Sequence, residues 1–382
     1  IIVPANLVDQ WISEFEKFAP KLYIYTHDTL YLRDCDSEPY VYITSYIKAI
    51  RTESVMDSEW DRVILDEAHY IRNPKGSVHK AIISIRGKYR WALTGTPIQN
   101  YISDMVSIFT FIGLDTLEHF MLDELSYEEK LEEIESLAEV YVLRRTKKGL
   151  KFPLPDITID TIRLDQKTLY EKMFYKKLEK NHFMSTDIHH LELLLRLRQA
   201  TILPQLVHDG YIKKLNGRRE KVEWKYSNSK LDAVVDNILA NPDEKPIVFC
   251  FFIKEMEYLM QKFITTGVNY RVINGSVSMD SRKALIEESD DYEVLILQMM
   301  AGSTGLNLQA FNAVHFTGPH WNPTHEEQAI ARVYRIGQKK AVTYIDLIVE
   351  DTIDEKIVKS LREKINLAGQ VLGEEQKRWL LN

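Results

Sequence analysis

The chain has 382 residues, 45% of them hydrophobic, which is too much for one compact core and enough to fill two. Its formal net charge of −7 excludes an evenly basic nucleic-acid coat and leaves any phosphate binding to local clusters. Cys35 and Cys250 lack CxxC spacing and no apolar stretch reaches the roughly eighteen residues of a membrane span, so no zinc, no disulfide framework and no membrane are expected.

In chain order, short β-rich runs come first: "IIV" (1–3), "LYIYT" (22–26), "YVYIT" (40–44), "RVIL" (62–65) and "YRWAL" (89–93). Amphipathic stretches such as "LVDQWISEFEKF" (7–18) separate them, and that alternation predicts a parallel sheet covered on both faces. The start, Ile1-Ile2-Val3-Pro4, has no methionine and falls inside a predicted strand, so it reads as a piece cut from something longer. From about 100 to 225 helical periodicity dominates with little strand signal. An acidic helix is predicted near 123–139, Pro153 and Pro155 interrupt any helix there, and "LELLLRLRQATIL" (191–203) ends at Pro204. After 228 the strand–helix rhythm returns, with strands at 246–252, 270–273, 293–298, 313–316 and 342–349 and a last helix from about 352. The expected division is an N-terminal lobe at 1–122, a helical linker with protrusions at 123–228 and a C-terminal lobe at 229–382. The fold class is α/β, with two parallel-sheet lobes and helical protrusions between them.

Chemistry gathers at strand ends. Val63-Ile64-Leu65 stops at Asp66 and Glu67, where open α/β sheets bind ligands, and His69 follows closely. Two carboxylates there suit a nucleotide, one reaching Mg²⁺ and the other polarising a water for attack on the γ-phosphate. Asp66 could instead cap the following turn. "LTGTP" (93–97) ends a second strand with small hydroxyl residues around a glycine. Further on, "AGSTGLNL" (301–308) sets Gly302 and Gly305 around Ser303 and Thr304, a loop able to hold phosphate. In "EEQAIARVYRIGQ" (326–338), Gln328, Arg332 and Arg335 are spaced by four and three, which predicts one helical face. Arg144 to Lys148, and the Lys213–Lys225 segment with Arg218, Arg219 and Lys221, are basic clusters that serve either as phosphate contacts or as solvated faces.

DEAH, LTGTPIQN, LRRTK, the glycine-containing loop and RVYRIGQ occur in an order that resembles the SWI/SNF-like ATPases of helicase superfamily 2. The likeness runs through nearly the whole chain: 1–18 is similar to motif Ia, 41–46 to Ib, 66–69 to II, 93–100 to III, 245–252 to IV, 301–308 with 320–323 to V and 326–338 to VI. It implies two RecA-like lobes and ATP hydrolysis with Mg²⁺. Asp66 would hold the metal, Glu67 would activate the water and His69 would couple the ATP site to motif III. Gly305 would lie at the nucleotide, while Gln328, Arg332 and Arg335 would complete catalysis, the arginines as fingers. Thr44, Ser45, Ser303 and Thr304 would touch DNA phosphates. "HFTGPHWNP" (315–323) resembles the branch with RING-bearing translocases and transcription-release factors, and the compact build is similar to global transactivators of large insect DNA viruses.

The resemblance implies translocation on double-stranded DNA and remodelling of bound proteins, with nucleosomes or transcription complexes as partners, in the nucleus or in prokaryotic cytosol. Strand separation and a non-enzymatic DNA-binding scaffold are the alternatives. The sequence departs from the family in three places: Ala331 replaces an acidic residue, Ile202-Leu203-Pro204 replaces Cys-His-Pro, and no GxxxxGK[ST] P-loop occurs. Truncation before the P-loop is the expected reason for the last.

Overall fold

The computed structural model describes residues 1–26, 39–99, 101–114, 125–144, 154–166, 169–180, 190–207, 224–226, 228–302 and 306–371. They form two compact units. One is built on Ile1–Arg144 and completed by the end of the last helix from Glu363, and the other is built on Arg145–Arg362. The stretch 123–228 is thereby shared between the units at Arg144 and Arg145.

In the first unit β1 (Ile2–Val3), β2 (Tyr23–Thr26), β3 (Tyr40–Ser45), β4 (Glu59–Asp66) and β5 (Arg86–Leu93) form one sheet. Its order is β2-β3-β1-β4-β5, and every pairing is parallel. Successive side chains of a strand point to opposite faces, so Val63 and Leu65 of β4 enter a core with Ile2, Tyr42, Ile71, Ile82 and Phe111. Gly87 is forced by that packing: a Cβ there would lie 2.6 Å from Val63 Cγ2. Tyr42 stacks on Trp60 at 5.8 Å and Tyr25 meets Tyr40 edge-on at 5.4 Å, so these tyrosines serve packing. Burial on both faces fails at β5. As the last strand of the sheet it exposes Tyr89 (49%) and Trp91 (56%) on one face, where no described helix covers them.

The second unit orders its strands β6-β11-β10-β7-β9-β8, again all parallel. These are β6 (Ile157–Leu164), β7 (Pro246–Cys250), β8 (Tyr270–Ile273), β9 (Val294–Gln298), β10 (Ala313–Phe316) and β11 (Val342–Val349). The central strands β7, β9 and β10 are apolar except for His315 in β10 and Gln298 at the end of β9, as suits strands buried on both faces. Alternation then yields two cores: Ile247, Phe249, Leu295 and Leu297 on one face, and Val248, Cys250, Val294 and Ile296 on the other. His315 within β10 is a core histidine. Its Nε2 lies 2.8 Å from Asn237 Oδ1, and burial pushes its pKa down to about 3.

The middle of the chain was expected to hold little strand, yet β6 pairs with β11 along eight residues, Ile157 with Val342 through Leu164 with Val349. "ITIDTIRL" contains four polar side chains, two of them adjacent (Asp160 and Thr161), which hide its β pattern, and as an edge strand it needs only half-burial.

Candidate active site

β4 delivers Asp66 at its carboxyl end, and Glu67 turns the backbone with φ 52° and ψ 51° into the 3₁₀ segment Ala68–Ile71. A left-handed non-glycine residue costs about 1–2 kcal/mol, a cost met by surrounding structure at functional sites. The turn separates the two like charges. Asp66 Oδ1 accepts from the Glu67 amide (2.9 Å) and Oδ2 from Trp11 Nε1 (2.8 Å), while Glu67 Oε2 lies 3.2 Å from His69 Nδ1. Asp66 therefore does not cap the 3₁₀ segment, which has no side-chain cap. Burial raises the Asp66 pKa, the Trp11 hydrogen bond opposes that rise and the charge of Glu67 adds to it. From below, Tyr46 donates its hydroxyl to the Asp66 carbonyl (2.8 Å) and stacks on Tyr70 at 5.0 Å.

Trp11 was not among the expected site residues. At four residues from Phe15 on the apolar face of the helix Val8–Phe18 it reads as packing, and only the indole N–H hints at a polar partner. Arg72 was missed too. It donates to the side-chain oxygen of buried Gln99, whose amide donates to Asp104 Oδ2 (2.9 Å), and Ser107 Oγ donates to the Arg72 carbonyl (2.8 Å). Through Arg72 the segment after the acids is tied to the LTGTPIQ loop.

Thr44 and Ser45 end β3 with side chains turned inward, 2% and 6% exposed. The Ser45 hydroxyl accepts from the Lys48 amide (3.4 Å) and caps the helix Tyr46–Arg51. Their expected contact with DNA therefore finds no exposed hydroxyl in this structure. Ser303, Thr304, Gly305, Arg218 and Arg219 lie outside the described residues.

In the second unit Gln328 and Arg332 sit on the helix Pro323–Val333, started by Pro323 and capped by Asn322 Oδ1, which accepts from the Thr324 amide (3.0 Å). Arg335 departs from the expected common face because the helix ends at Val333 and Tyr334 is not helical (φ −89°, ψ 79°). An exposed turn presents it instead. Gly337 supplies the left-handed φ of +100° that the turn needs. Buried Gln338 then fixes the turn, donating from Nε2 to the carbonyls of Gln309 (3.0 Å), Phe311 (3.0 Å) and Val333 (3.2 Å).

Beneath this helix lies Glu255, fully buried, with Oε1 accepting from the Phe251 amide (2.6 Å) and Thr317 Oγ1 (2.9 Å). Burial pushes its pKa from 4.5 up to about 7. Because the folded state holds the proton more tightly than the unfolded chain, this stabilisation is complete below pH 4.5 and is lost as pH rises through about 7. A rise of this size corresponds to about 3 kcal/mol. Glu255→Gln should accordingly flatten the fall in the second unit's stability between pH 5 and pH 8, read from urea midpoints. An equal fall in both proteins would assign the slope to other groups.

The first unit thus carries an acid pair at a strand end, and the second carries arginines on a helix and on its exit turn. Residues 1–206 match the SNF2-related domain and residues 229–337 match the Helicase conserved C-terminal domain. The chain belongs to the SNF2-related family. It is 30% identical over its whole length to YwqA of Bacillus subtilis, a protein provisionally named an ATP-dependent helicase/translocase, and spans 43% of it. It is 26% identical over 98% of its length to Chromodomain-helicase-DNA-binding protein 1-like of Danio rerio, of which it spans 39%. Among solved structures it is similar to the Sulfolobus solfataricus SWI2/SNF2 ATPase core in complex with dsDNA, at 25% identity and a TM-score of 0.42, covering 97% of this chain and 82% of that one.

Proposed function

We propose that the protein is a DNA-dependent ATPase that translocates on duplex DNA and remodels proteins bound to it. The observation that carries this reading is the Asp66–Glu67 turn, in which two adjacent acids are held apart by Trp11 and His69 so that each is available for a separate task. Asp66 would hold Mg²⁺: its oxygens are hard donors, and each accepts one hydrogen bond with a lone pair to spare. An ion held there would supply positive charge against the phosphates. Glu67 takes the proton of the attacking water on its carboxylate, steadied by His69. Gln328, Arg332 and Arg335 meet the negative charge that develops on the transferred phosphoryl group. Gly305 lies at the nucleotide. Ser303, Thr304, Arg218 and Arg219 contact DNA phosphates, which sets binding without sequence preference.

Relatives named for helicase, translocase and DNA-binding activity support this reading. Nucleosomes or transcription complexes are the fitting obstacles on the track, with the nucleus as the compartment in a eukaryotic host. The test is phosphate release by the full-length protein with duplex DNA, single-stranded DNA and no DNA. Stimulation by duplex is expected, and DNA binding without any hydrolysis would leave a scaffold.

A further inference from the structure

The segment "LRLRQATIL" carries an arginine that the proposed chemistry does not use. Arg198, on the helix His190–Ile202, is buried; its guanidinium lies 3.8 Å from the centroid of the Phe251 ring, and Nη2 donates to the Pro319 carbonyl (3.0 Å). Pro319 belongs to the loop between β10 and the helix Pro323–Val333. That loop is held at neighbouring positions by two further buried side chains. Thr317 Oγ1 donates to Glu255 Oε1 (2.9 Å), and the His320 amide donates to Glu326 Oε1 (2.6 Å), whose other oxygen accepts from Tyr344 (3.4 Å). Gly318 completes the fit, since a Cβ there would stand 2.7 Å from the Nζ of Lys230, which is itself buried in an ion pair with Asp354 (2.5 Å).

We propose that Arg198 is a positioning residue, locking the loop Gly318–Asn322 and through it the helix that carries Gln328 and Arg332. This rests on the ATPase reading above. An apolar side chain of similar volume would fill the slot over Phe251 without the desolvation that a buried guanidinium suffers, so packing alone does not account for an arginine. What the guanidinium adds is direction: a planar face on the ring and an Nη2 donor aimed at the Pro319 carbonyl, in the field of Glu255, Asp354 and Glu326. A helix that begins where the loop ends inherits any shift of it, and a displacement on the order of 1 Å lowers a rate by about a hundredfold.

The experiment compares Arg198→Lys and Arg198→Met with wild type in the full-length protein. Lysine keeps the charge and loses the planar fork; methionine keeps the stem alone. With Arg198→Lys, kcat for duplex-stimulated ATP hydrolysis should fall about ten- to a hundredfold while KM for ATP and DNA affinity stay within about twofold. Amide hydrogen exchange of 318–333 should accelerate at the same time, with the helix Leu169–Glu179 unchanged. Arg198→Met should fall further. Unchanged exchange at 318–333, or accelerated exchange with an unchanged kcat, overturns the proposal. A wild type without ATPase activity would end the functional reading, and exchange alone would then decide whether Arg198 positions the helix. If the methionine variant fails to fold, the lysine variant carries the comparison.

Discussion

Glu67→Gln should lower duplex-stimulated phosphate release by about a thousandfold, within the range that a positioned general base contributes, while ATP and Mg²⁺ still bind. The amide is isosteric with the carboxylate and no more demanding of the left-handed backbone at this position, so the turn is kept. Asp66 is held by the Trp11 indole and by the backbone amide of residue 67, neither of which the substitution removes. What disappears is the basic oxygen. A nucleotide-binding assay beside the rate measurement separates the two tasks: retained binding with lost turnover assigns the metal to Asp66 and the water to Glu67. Near-wild-type turnover would show that the two acids have been given the wrong roles.

Both lobes were legible in the sequence because their strands announce themselves physically. Central strands buried on both faces are largely apolar, and "PIVFC", "VLILQ" and "AVHF" are so except at Gln298 and His315. The same rule hides β6, an edge strand whose Thr158, Asp160 and Arg163 break the apolar run. Site residues were legible where spacing within one element sets their placement, as with Gln328 and Arg332 four apart on one helix. Arg335 escaped that logic because spacing says nothing about where a helix stops, and the stop is set by Gly337 and by the tertiary contacts of Gln338. Trp11 and Asp66 are separated by 55 residues and Arg198 and Pro319 by 121. Such pairs come together only through the order of strands in a sheet and the helices laid on it, which no local pattern records. Thr44 and Ser45 show what a motif resemblance leaves out: it assigns them a contact with DNA and does not record that the end of β3 buries both residues.

Residues 1–382 expressed alone should be nearly inactive as an ATPase, with or without DNA. Phosphoryl transfer depends on holding the triphosphate in line, and that task falls to backbone amides and a lysine of a GxxxxGK[ST] loop, which this sequence does not contain. Gly87-Lys88 is no substitute: it lies inside β5, with Gly87 packed too closely against Val63 to admit even a methyl group. A longer version of the protein that includes such a loop should recover duplex-stimulated hydrolysis. Adding Arg335→Ala to it should then remove about three orders of magnitude, as loss of an arginine finger does. Because Arg335 stands on an exposed turn whose shape is fixed by Gly337 and Gln338, the substitution should leave the second unit's thermal unfolding unchanged. Phosphate release with duplex, single-stranded and no DNA, measured on all three proteins, reads each step. Robust hydrolysis by residues 1–382 alone would mean that the nucleotide is held by groups other than those named, and stimulation of the longer protein by single strands only would replace translocation on duplex DNA with strand separation.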